Sequence, residues 1–140
     1  MSLTFRQTFT TASLSSAIGF GLSFLPSTVP DALKVFLSGV PGISIMTGSF
    51  CYFIQNRDSS EVEFKKEFCH GAVSLAAGVT TAALNCFATS TLPFWAPPLI
   101  VTGGIAAIKL AKDRNCFWNR QTEGALDAQL IELSAPSCSI

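Results

Sequence analysis

The sequence predicts an all-α integral membrane protein whose four transmembrane helices fold as two tight helical hairpins. Three observations predict it. Runs free of Asp, Glu, Lys and Arg cover residues 7–30, 35–56 and 71–108. Short proline-containing breaks, at 26–31 and 91–98, split the apolar regions into paired segments. The one charge-dense stretch before residue 109, QNRDSSEVEFKKEFCH at 55–70, stands between the two pairs.

The composition agrees with this layout. Of the 140 residues 49% are hydrophobic and 13% charged, where soluble domains carry roughly a quarter charged. The formal net charge is zero, which gives no reason to expect nucleic acid as a partner. A helix needs about 20 mostly apolar residues to cross a hydrocarbon core of about 30 Å. The charge-free runs therefore predict crossings at 8–25, 32–54, 71–92 and 97–111. A soluble helical bundle would instead put charged residues on one face of every helix, and 72–92 is polar only through Ser, Thr and one Asn.

In chain order, residues 1–7 form a short Ser/Thr-rich arm, which is expected to be retained because no small-x-small cleavage site follows Leu25. The first hairpin covers 8–54. Its crossing at 8–25 is diluted by Thr10, Thr11, Ser13, Ser15, Ser16 and Ser23, so lying in the interface is the alternative to full insertion. The turn at 26–31 follows from proline chemistry, with Asp31 expected to cap the second helix. Pro41, flanked by Gly39 and Gly42, is expected to kink that helix, and Lys34 to reach for the interface.

The loop at 55–70 begins a new helix. Ser60 and Glu63 have capping-box spacing, and Phe64 and Phe68 share one face, which makes them candidate partner-binding residues. The helix is expected to continue to Leu92. The second hairpin covers 71–111, turning at TLPFWAPP, where Phe94 and Trp95 suit a membrane interface. The tail covers 112–140. Within it Thr122 is expected to cap a short acidic amphipathic helix over 122–133, whose Leu126, Leu130 and Leu133 form a candidate docking face for another protein.

Arg6, Arg57, Lys65, Lys66, Lys109, Lys112, Arg114 and Arg120 fall on one side of four crossings, with Lys34 alone near the other. The positive-inside rule then puts both termini and the polar loop in the cytoplasm. Small residues repeat every four positions as Ser13, Ala17, Gly21, as Ser74, Gly78, Ala82 and as Gly103, Ala107, Ala111. Such stripes let helices approach closely in lipid. They read either as packing within one chain, which is favoured, or as a homo-oligomer face.

No catalytic, cofactor-binding or metal-ligating set is legible, and the expected cofactors are none. Pumps and proton relays need ionisable residues at membrane depth, and the helix centres hold none. Asn85 reads as a helix-to-helix hydrogen bond. His70, the single histidine, lacks converging ligands. The cysteines at 51, 69, 86, 116 and 138 contain no C-x-x-C pair. Cys69 and Cys116 read as reduced thiols at the membrane boundary, with S-acylation as the alternative.

Paired crossings with very tight turns, short cytoplasmic ends, a Ser/Thr-rich start and no catalytic motif together resemble the chlamydial inclusion membrane (Inc) proteins, known by a bilobed hydrophobic domain. The lobes here are 8–25 with 32–54, and 71–92 with 97–111. The resemblance implies type III secretion, insertion into the vacuole (inclusion) membrane around the bacterium, and a virulence role in which loop and tail meet host cytosolic or membrane proteins. The chain departs from the commonest pattern in having two bilobed units and a small cytosolic portion. The expectation is a non-enzymatic interaction or scaffold protein; the alternative is a small four-helix transporter or pore of the bacterial inner membrane.

Overall fold

The computed structural model describes the backbone of residues 3–58, 61–88 and 91–134, and side chains within these except at 61, 62 and 116–134. Four α-helices and no strands occur among the described residues: α1 (Phe5–Ser23), α2 (Asp31–Gln55), α3 (Glu61–Phe87) and α4 (Ala96–Ser134). The chain divides into two compact units, Met1–Ala107 and Ile108–Ile140.

Helix α1 starts at a capping box formed by Thr4 and Gln7. Thr4 accepts from the Gln7 amide at 3.3 Å while the Gln7 side chain accepts from the Thr4 amide at 3.1 Å, so two of the amides orphaned at a helix start are satisfied. The expected box at Ser60 lies outside the described residues. Pro30, not Asp31, is the N-cap of helix α2, which has no side-chain cap. Asp31 occupies the first turn, where its charge suits the helix dipole, and binds Lys34 at 3.0 Å. Lys34 is buried, and its ammonium pairs with the half-exposed Asp31 carboxylate at the start of the helix.

Both chain reversals are built alike. A proline carbonyl accepts from the amide three residues on, Val29 to Pro26 and Ala96 to Pro93, each at 2.9 Å. Helix α3 stops at Phe87, short of residue 92, and Pro97 is fully buried in the first turn of α4. Helix α4 runs on to Ser134, so Thr122 lies inside a helix and does not start a new one. Past Ala107, α4 is described as its own unit, with Lys109 donating to Asp113 at 2.7 Å one turn on.

In the first unit the residue pairings give the topology. Thr11 meets His70 and Ser15 meets Ser74, so α1 and α3 run parallel. A Cβ at Gly39 would touch Val79 and one at Gly42 would strike Leu75, so α2 and α3 run antiparallel. Ser16 meets Thr102 and Phe20 stacks near Phe94, so the start of α4 runs antiparallel to α1. Helix α3 is the central element, packing on both α1 and α2.

By length and composition one helix among the described residues, α2, is long and apolar enough to cross a membrane. Ser and Thr dilute α1, and α3 begins with the charged turn EVEFKKE and ends early.

Candidate functional site

The interior of the first unit is made mostly of small and polar residues, with Leu3, Lys34 and Val101 among the larger ones buried and Val73, Leu84 and Ile105 packed against a cluster of Ala12, Ala77 and Val101. Its largest fully buried side chains are Thr81, Pro97, Ser16, Ser38 and Ser74. Many large apolar residues lie outside, with Phe87 70%, Leu99 64%, Leu14 63% and Phe36 63% exposed. Water-soluble domains bury such side chains, because each contributes about 1.5–3 kcal/mol when removed from water.

The buried hydroxyls are satisfied in two ways. Thr8, Ser38, Ser49 and Thr81 each donate back to a carbonyl of their own helix, to Thr4, Val35, Ile45 and Ala77. Others bridge helices along the α1–α3 seam. Thr11 Oγ1 lies 3.1 Å from His70 Nδ1, the Ser15 and Ser74 Oγ atoms lie 2.7 Å apart, and Asn85 Nδ2 donates to Ser23 Oγ at 3.2 Å. Thr102 Oγ1 donates to Ser16 Oγ at 3.3 Å, tying α4 to the other side of α1. Among the described residues no buried side-chain polar atom lacks a partner.

Glycines set the depth of the seam. A Cβ on Gly19 would strike the carbonyl oxygen of Gly78, and one on Gly42 would strike the backbone of Leu75. Of the three expected stripes, only Ser74, Gly78, Ala82 is buried as a set. On α1 the buried set is Thr8, Ala12, Ser15, Ser16 and Gly19, while Ala17 and Gly21 face out. Gly103 and Ala107 also face out. Ser, Thr and Gly fill several parallel i, i+4 lines on α1, so spacing alone does not select the line that carries Gly19. The signal that does is the constant offset of the two helices: Thr11 to His70, Ser15 to Ser74 and Gly19 to Gly78 stand equally far apart in the chain.

At the charged end of α3, Phe64 is half-buried with its ring 4.8 Å from that of Phe53 on α2 and 6.2 Å from that of Phe68. Of the two aromatic candidates, Phe68 is the exposed one, at 46%. Leu126, Leu130 and Leu133 lie on α4 in the second unit, and their side chains lie outside the described residues. The structure therefore brings Phe64 and Phe68 together in one unit and leaves the leucines in another.

A cleft of about 550 Å³ opens beside Phe64 and Tyr52 between α2 and α3, rimmed by Glu63, Lys66 and Glu67. A second of about 410 Å³ lies between α1 and α2 over α3. Cys51 and Cys69 are exposed free thiols. Among the described residues no three metal-ligating side chains gather. Comparison of the chain with models of known families, with curated proteins and with solved structures finds no match.

Proposed function

We propose that this chain is a four-crossing membrane protein that works as a non-enzymatic interaction or scaffold protein, holding the loop at 55–70 and the tail from 112 in the aqueous phase on one side. The inverted burial carries the reading: mostly hydroxyls, glycines and alanines inside, many Phe, Leu and Ile outside. Such an arrangement is stable where the surroundings are as apolar as the side chains, since helix association in lipid rests on close packing and interhelical hydrogen bonds. Helix α2 supports it further. It is long and apolar enough to span, yet 22% of its most apolar window is buried, unlike the core helix of a soluble protein.

The backbone contact between Gly19 and Gly78 at mid-seam favours a solid packed bundle over a transporter or pore, which needs a path between its helices. The membrane in question is, on this proposal, that of a pathogen-containing vacuole, reached by type III secretion, with a host cytosolic or membrane protein as the partner of the tail. A reporter enzyme fused behind residues 1–16 tests the route. Export that depends on a type III apparatus supports it, and retention in the bacterial inner membrane overturns it. Embedding is tested separately by alkaline carbonate washing of membranes, which leaves a spanning chain in the pellet.

A further inference from the structure

We propose that the groove along the charged end of α3 is a binding site for a zwitterionic phospholipid. The lipid's amine sits between Glu63 and Glu67, its phosphate on Lys66, and one acyl chain along Leu14, Ile18 and Ile45. The inference rests on the membrane reading and adds a ligand to it. Its basis is that the two clefts adjoin at Ile45 and Glu67, which line both, with Glu63 and Lys66 in the first and Leu14, Ile18 and Pro41 in the second, beside the polar side chains of Thr10, Thr11, Ser15, His70 and Ser74. Charged side chains in the one and Leu14 and Ile18 in the other suit the two parts of a lipid. The volumes, about 550 and 410 Å³, fall in the range of roughly 300–1,000 Å³ usual for small-ligand sites.

The charges name the headgroup. Elsewhere in the structure Asp31 pairs with Lys34 and Asp113 with Lys109. Among the described residues, Glu63, Lys66 and Glu67 form no such pair, although all three rim one cleft. Two carboxylates and one ammonium around a partly apolar wall repel a purely anionic headgroup and complement one that offers an ammonium beside a phosphate. Charge-assisted hydrogen bonds of this kind are about twice as strong as neutral ones. Tyr52 lines the same cleft, where its ring face is suited to an alkylammonium group. The depth fits too: Glu63 to Glu67 lie in the charged first turns of α3, and Leu14, Ile18 and Ile45 lie in the charge-free segments of α1 and α2.

The test uses the full chain in mild detergent. It is offered equal amounts of phosphatidylethanolamine and phosphatidylglycerol with matched acyl chains, and retained lipid is read by native mass spectrometry. The expected result is a preference for phosphatidylethanolamine of about tenfold. Glu63→Gln with Glu67→Gln should abolish that preference, Lys66→Gln should weaken retention of both lipids, and Arg6→Gln, outside both clefts, should change neither. Single Glu67→Gln, on an exposed position, gives the same readout should the double variant fail to fold. Equal retention of the two lipids, preference for phosphatidylglycerol, a lipid-free dimer, or an unchanged preference in the glutamine variants overturns the proposal. Carbonate washing separates the two readings. A chain washed out of membranes sinks the membrane reading, and a chain that stays without lipid preference sinks this site alone.

Discussion

Gly19 and Gly78 meet backbone to backbone: a Cβ on the first would collide with the carbonyl oxygen of the second. Gly78 is also where three helices converge, since a Cβ there would come 2.5 Å from the Ser38 oxygen and 3.3 Å from that of Ser15. No rotamer change relieves a clash with backbone, so the helices themselves must separate.

Gly78→Leu is therefore expected to destabilise the bundle by roughly 1–3 kcal/mol, and Gly19→Ala to do so to a smaller degree. Gly21→Ala, where an added Cβ meets nothing within 4 Å, should be neutral or slightly stabilising. Thermal unfolding in one detergent checks all three, and equal melting of the Gly78 and Gly21 variants would contradict the seam.

The Ser15–Ser74 contact, 2.7 Å and buried, should show a coupling energy of about 0.6 kcal/mol in a double-mutant cycle with alanine, the usual size for interhelical hydrogen bonds in lipid. Asn85→Ala should lower stability by a similar amount through its lost bond to Ser23. A coupling of zero would mean that the hydroxyls are bystanders in the packing.

Phe53 and Phe64 make a second cycle at the charged end of the α2–α3 pair. Their rings, 4.8 Å apart, should couple by about 0.5–1.5 kcal/mol. Chemical unfolding of the two single alanine variants and the double variant reads it. Strict additivity would show that the pair does not close that end.

Topology is open to chemical labelling. Ser27 lies exposed between α1 and α2 and Asp58 lies exposed after α2. In a cysteine-free background, Ser27→Cys and Asp58→Cys should react with a membrane-impermeant maleimide from opposite faces of the membrane. Labelling of both from one face would contradict crossings by α2.

For the tail, Leu130→Asp is expected to abolish capture of a host protein in pull-downs without changing membrane insertion. Undiminished capture by the variant would remove the leucine face from the proposal.

Much of the helical layout was legible because it depends on simple counts. Runs without charge and two proline-containing breaks place α2 almost to the residue and locate both reversals. Ends were harder to read where two signals compete. Asp31 has a capping side chain, yet Pro30, with its fixed φ, takes the cap position, and Asp31 is drawn to Lys34 instead. Thr122 likewise has the chemistry of a cap, but nothing in the preceding residues breaks the helix, so α4 passes through it. The side-chain role of Asn85 was legible because a lone amide in an apolar run needs a partner. The register of α1 was not, because Ser13 and Ser15 offer equivalent small polar faces and only the neighbouring helix chooses between them. Nor was the cleft at Tyr52 and Glu63, since it is made by residues of α2 and α3 together and depends on how those two helices pack.

The hydroxyls that bond back into their own helices carry a consequence for assembly. Thr8, Ser38, Ser49 and Thr81 find acceptors one turn earlier in the same segment. Each helix can thus form with these groups already satisfied, before its neighbours arrive. Assembly hairpin by hairpin becomes feasible, and the bridges from Ser15 and Asn85 are left to form between helices.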